Sequence, residues 1–214
     1  MSQVVLLIII ANVLFSMKGF KDFSFFSKYK FQIGAIKQGE YIRLLSSGFL
    51  HVDTSHLIFN MLTLYFFADQ VIYAVGVPFF FIIYFAGLLF GGLFALRYHK
   101  DDLYYSSVGA SGAVMGVIYA GIMLHPDMKL SFIMLPFIPI PGYVFGLGYL
   151  LYSVYGMKKS LGNIGHSAHL GGAIGGFVLT LILSPDVISE NLSMVLILGI
   201  PIILLFVFEK KLKL

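Results

Sequence analysis

Cysteine and tryptophan are both absent from the 214 residues, and only 11% of the chain is charged. Without a thiol there is no disulfide, no cysteine nucleophile and no thiolate metal site. So little charge also excludes an ordinary water-facing globular surface, since soluble domains carry roughly a quarter charged residues. The net charge is +4, and the 14 Lys and Arg residues scatter through loops without forming a stripe, so no nucleic-acid partner is implied. No stretch is polar enough for a separate water-soluble domain. The apolar run 4–17 has no positive side chain before it and no small-residue cleavage site before Lys18. It therefore reads as a retained span and not as a signal peptide.

Apolar surface is what the chain has in excess. Hydrophobic residues make up 59% of it and the mean hydropathy is +0.93, which identifies an integral, multi-pass membrane protein of one domain, 1–214. Uncharged runs place spans near 3–17, 49–68, 78–96, 107–124, 142–155 and 166–184, with a further C-terminal span near 193–208. The fold class expected is all-α: six membrane helices plus a seventh. Several runs fall short of the ~20 residues of a full crossing, which suits helices enclosed by protein around a cavity. Pro136, Pro139 and Pro141 make 130–141 an interfacial approach to the fifth span. Phenylalanines in the long first loop, 18–48, suggest that it rests on the interface. Gly156, Gly162 and Gly165 give the loop 156–165 the composition of a mobile flap.

The second, fourth and sixth spans run in one direction, so their N-terminal ends share a membrane face. Near those ends lie His56 and Asn60, Ser111, and His169. At 1.5 Å per residue each is only ~5–20 Å below that face. A serine hydroxyl needs an adjacent base to become a nucleophile, and histidine is the usual one. Ser111 follows Ser106 and Ser107, either of which is a candidate helix cap, so it falls within the first turn, where backbone N–H groups lack partners. Such donors stabilise an oxyanion, and His56 and Asn60, sharing a helix face at i and i+4, add side-chain donors. The small-residue pairs Gly112/Gly116, Gly171/Gly175 and Gly172/Gly176 let the fourth and sixth spans approach closely. No acidic residue lies in those spans to orient His169, so a Ser–His dyad is expected in place of a triad.

Each feature alone has a plainer reading: Gly-x-Ser-Gly as helix packing, His56 and Asn60 as interhelical glue, His166 and His169 as metal ligands. Together they point to function, because ionisable residues buried in a membrane are costly. The set resembles the rhomboid family of intramembrane serine proteases. Glu40-Tyr41-Ile42-Arg43 is similar to the family's first-loop motif, with Ile42 a mild departure. The stretch from His51 to Asn60 resembles its second-span signature. Gly109-Ala110-Ser111-Gly112 resembles the nucleophile motif, and Ala168-His169-Leu170-Gly171-Gly172 the sixth-span histidine motif.

The resemblance implies a rhomboid-like six-helix bundle with one extra C-terminal helix. It implies Ser111 as nucleophile and His169 as general base, with His56, Asn60 and the Ser111 N–H as oxyanion hole. Arg43 and His51 would be structural supports, as would Gly109 and Gly112; His166 matches no catalytic position. No metal or other cofactor is implied. The partners implied are the lipid bilayer and membrane-protein substrates, cut in or near transmembrane segments. A non-catalytic relative that binds transmembrane helices is the alternative. A small solute or metal transporter is a further one, lacking the paired mid-membrane acids and internal repeat it would need. The missing cysteines and targeting segment lead to a prokaryotic plasma membrane as the expected location. All Lys and Arg residues except Lys129 fall on the side toward which the candidate site opens. The positive-inside rule makes that side cytoplasmic, whereas plasma-membrane rhomboids open outward.

Overall fold

The computed structural model describes residues 1–132, 135–159, 161 and 164–207. Gly162 of the expected flap and the basic tail residues Lys210, Lys211 and Lys213 lie outside these. The helices are α1 (Gln3–Lys21), α2 (Phe23–Tyr29), α3 (Ile33–Lys37), α4 (Arg43–Ser46), α5 (Thr54–Tyr98), α6 (Ser111–Leu124), α7 (Gly142–Lys159), α8 (His166–Leu183), α9 (Asp186–Glu190) and α10 (Leu192–Val207). Two antiparallel strand pairs join them, β1 (Phe31–Gln32) with β2 (Ser106–Ser107) and β3 (Lys129–Phe132) with β4 (Leu135–Pro141).

The long α5 supplies two of the expected spans. At Gly76 the backbone takes φ 78° and ψ 166°, a left-handed conformation open to glycine at no steric cost, and Pro78 follows two residues later. The arms 54–75 and 77–98 therefore run as separate crossings. Helices α1, α5 and α8 are long and apolar enough to cross a membrane, and α6 and α10 are shorter apolar helices. The result is an all-α membrane bundle, as the composition requires.

Its centre is α6. This helix has 14 residues, of which all but Ser111 and Leu124 are buried, and it spans roughly 21 Å at 1.5 Å per residue. That falls short of a ~30 Å hydrocarbon core, so α6 exists only because α5 and α8 wrap it. Glycine makes the wrapping tight. A Cβ at Gly172 would meet the carbonyl of Gly112, and one at Gly176 the carbonyl of Gly116. On the other side a Cβ at Gly87 would stand 3.2 Å from the Gly116 Cα. The helices thus touch backbone to backbone. In the second half of α6, the Tyr119 hydroxyl donates to the Gly146 carbonyl at 2.5 Å and ties α7 to the centre.

Two local expectations are corrected. Neither Ser106 nor Ser107 caps α6; they pair as a strand with Gln32 and Phe31, and the helix starts at Ser111 with no side-chain cap. The second span starts at Thr54 and not at 49, because Asp53 caps it by accepting from the His56 N–H at 2.7 Å. The proline-rich approach to α7, expected not to be helix interior, is built of the β3–β4 pair, in which prolines are tolerated on an edge.

Candidate active site

Ser111 is the first residue of α6, so its N–H has no carbonyl one turn earlier to bond within the helix. The chain reaches it through Gly109, at φ 132°, with the Gly109 N–H donating to the Ser47 carbonyl at 3.0 Å. A Cβ on Gly109 would lie 2.7 Å from His56 Cε1 and 3.7 Å from Ser111 Oγ. The space that glycine leaves empty is therefore bordered by both the His56 ring and the Ser111 hydroxyl. Among the described residues Ser111 Oγ makes no hydrogen bond, and it is half-buried.

His51 is fully buried and holds the residue before the serine. The Ala110 N–H points at His51 Nε2 at 3.4 Å, so Nε2 carries the lone pair and Nδ1 the proton, which is donated to Ser16 Oγ at 2.9 Å. Ser16 in turn donates to the Phe49 carbonyl at 3.0 Å. One relay thereby joins α1, the turn before α5 and the start of α6. The His56 ring stands edge-on to His51 with centroids 4.9 Å apart. Asn60, one turn deeper and buried, donates one amide hydrogen to the His56 carbonyl at 3.2 Å.

His169 is in the first turn of α8 and is buried, 9% exposed. Its Nδ1 is 2.6 Å from the hydroxyl of Tyr149 on α7. The α6–α8 glycine contact lies beside it: Gly112 directly follows Ser111, and the Ala168 carbonyl faces Gly112 and Gly91. His166 stands apart. Its Nε2–H donates to the Leu161 carbonyl at 3.2 Å, and its ring occupies the space at Gly156, so it clamps the turn between α7 and α8.

Arg43 is buried in the first loop. It donates to Glu40 Oε2 at 2.8 Å and to the carbonyls of Ser27 at 2.8 Å and Lys30 at 2.9 Å. The planar guanidinium, with donors pointing in several fixed directions, serves these three acceptors at once. Ser16 and Tyr149 are absent from the motif-based set. Ser16 carries a weak signal, as a polar residue near the end of an apolar span, whereas Tyr149 carries none.

The family model for the rhomboid domain matches residues 38–186, which contain Arg43, His51, His56, Asn60, Ser111, Tyr149 and His169. The chain belongs to the rhomboid family. Among its relatives, this rhomboid is 31% identical over 190 residues to RHOMBOID-like protein 12, mitochondrial, of Arabidopsis thaliana, a match covering 80% of this chain and 55% of that one. It is 34% identical over 140 residues to Rhomboid protein 1, mitochondrial, of Saccharomyces cerevisiae, covering 63% of this chain and 40% of the relative. With Rhomboid protease GluP of Bacillus subtilis it shares 31% over 144 residues, 66% of this chain and 26% of that protein. The chain thus spans about half the length, or less, of the curated relatives it matches. The expected prokaryotic plasma membrane is overturned by the mitochondrial relatives in plant and yeast. Neither the lack of cysteine nor the first apolar run distinguishes a bacterial membrane from an organellar one. What stands is that this rhomboid is an integral membrane protein.

Proposed function

We propose that this rhomboid is an intramembrane serine endopeptidase, hydrolysing peptide bonds in or near transmembrane segments of other membrane proteins. The observation that carries the reading is the junction of α6 and α8. Backbone-close glycine contacts pack the start of α6, whose first residue is Ser111, against the first turns of α8, which carry His169, and this supports pairing the two. The whole chain, 1–214, acts as one membrane domain, with α10 packed on α7 and α8 through Gly146–Leu198 and Gly199–Phe177 contacts.

Ser111 Oγ attacks the scissile carbonyl while His169 Nε2 takes its proton. The tetrahedral oxyanion is held by the Ser111 N–H, His56 and an N–H of Asn60, and each such donor supplies about 10²–10³ in rate. His169 then passes the proton to the leaving amine, and water hydrolyses the acyl-enzyme by the same path in reverse. In this reading the Ser111–His169 hydrogen bond forms on substrate binding, as catalytic hydrogen bonds often tighten only in the complex. A substrate helix must unwind first, because its peptide groups are already hydrogen-bonded to one another.

The experiment is labelling of the purified, detergent-solubilised protein by a fluorophosphonate, beside Ser111→Ala and His169→Ala. Labelling of wild type that disappears in both variants is the expected result. Folded wild type that does not label sinks the protease reading and favours a non-catalytic binder of transmembrane helices.

A further inference from the structure

We infer that Tyr149 is the positioning residue for His169, holding the imidazole in the tautomer that leaves Nε2 free to accept a proton; this rests on the Ser111–His169 dyad proposed above. A neutral imidazole carries one N–H, and which nitrogen bears it is set by the partner of the other. A base that takes a proton on Nε2 needs its Nδ1–H held by an acceptor. Carboxylates usually fill that place, yet neither α7 nor α8 contains an Asp or Glu. The group at Nδ1 is the Tyr149 hydroxyl, 2.6 Å away.

A phenol oxygen both accepts and donates. When it accepts from Nδ1–H, Nε2 is bare and reactive. When it donates to Nδ1, the proton sits on Nε2 and Ser111 has no base. The first arrangement gains strength during the reaction, because the imidazolium that forms makes Nδ1–H a charged donor and the bond charge-assisted. Burial keeps water from competing for Nδ1.

Tyr149 is itself well placed for the task. Its carbonyl accepts from Ser153 Oγ at 2.9 Å, and its ring stacks on Phe145 at 5.7 Å. Helix α7 is pinned on either side of it, by Tyr119 at Gly146 and by the Tyr98 hydroxyl donating to the Met157 carbonyl at 3.2 Å. The ring of His169, 5.8 Å from that of Tyr149 and tilted 37°, contacts it too obliquely for stacking to orient the imidazole.

The test compares wild type with Tyr149→Phe, which keeps the ring and removes only the hydroxyl. Fluorophosphonate labelling rates are followed against pH, with thermal melting as the fold control. The 15N spectrum of histidine-labelled wild type is recorded alongside, with the His169 signals assigned through His169→Gln. The expected result is a labelling rate down about 10- to 100-fold, the range for one hydrogen bond to a charged group, at an unchanged melting temperature. The wild-type spectrum is expected to show Nδ1 protonated and Nε2 bare. Wild type that labels through Ser111 while Tyr149→Phe labels at the same rate overturns the Tyr149 assignment and leaves the dyad standing. Wild type that never labels removes the dyad, and the Tyr149 role with it. Should Tyr149→Phe fail to fold, the wild-type spectrum decides, and a proton on Nε2 refutes the assignment.

Discussion

Replacing Gly172 by alanine tests the junction on which the proposed chemistry depends. The added methyl carbon would meet the Gly112 carbonyl oxygen and stand 2.8 Å from its carbon and 2.9 Å from its Cα. Ordinary carbon contacts are about 3.5–4.0 Å, so α6 and α8 must separate by roughly 1 Å. All three atoms are backbone of a buried helix, so no side-chain rotation relieves the clash. Overpacking of this kind costs about 1–3 kcal/mol. Because Gly112 adjoins Ser111 and Gly172 lies three residues beyond His169, the shift falls directly on the reacting groups, and a 1 Å misplacement costs about 10²-fold in rate. Gly148→Ala is the matched control: a Cβ there meets nothing within 4 Å, and an alanine in an exposed helix position gains about 0.5–1 kcal/mol over glycine. Melting and fluorophosphonate labelling of both variants in detergent give the comparison. If Gly172→Ala melts and labels as Gly148→Ala does, the helices are not in backbone contact and the Ser111–His169 dyad loses its support.

Three further perturbations are specific. Gly109→Ala forces an L-residue into φ 132° and drives a methyl onto His56, so a loss of about 1–3 kcal/mol together with loss of labelling is expected; wild-type labelling would show that the site tolerates a side chain there. Arg43→Lys replaces a fork by a point charge and leaves at least one carbonyl unpaired, costing about 2 kcal/mol, read as a lower melting temperature and faster protease nicking within 18–48. His99, beyond the end of α5, stacks on Tyr105 and meets Ser167 Oγ at 3.2 Å. Burial holds its pKa below the usual 6.5, with Asp102 opposing. The unfolded chain therefore takes up a proton at His99 before the folded one does, and the stability present above pH 6.5 is lost as pH falls toward the folded value. His99→Gln should make melting less steep across that window than in wild type; equal slopes would refute the assignment.

The spans are legible in the sequence because lipid leaves backbone no alternative to helix, so length and apolarity suffice. Their ends are less so. Ser111 is the first helical residue not through a serine cap but because 106–107 are claimed by pairing with the first loop, a contact between segments more than seventy residues apart. Asp53, directly before Thr54, is a strong N-cap residue, so the true start of α5 is legible in local chemistry. The β3–β4 pair is not, since prolines that argue against helix argue nearly as strongly against strand.

Motif chemistry placed Ser111, His56, Asn60 and His169 at helix heads on one side, and the absence of acidic residues led to a dyad and no further. Tyr149 could not be found that way. It lies 20 residues before its partner, on a helix that also holds Tyr143, Tyr152 and Tyr155, and only the rotation of α7 against α8 singles it out. Its chemistry, in the role proposed above, explains how a membrane site can do without the carboxylate that completes a triad. A charged orienting group must be desolvated among lipid-facing helices, at a cost that a neutral phenol largely escapes. The phenol still accepts from Nδ1–H, and its bond strengthens only when the imidazolium forms. A neutral acceptor thus directs its stabilisation to the charged step of the reaction, where it raises the rate, without burdening the resting fold.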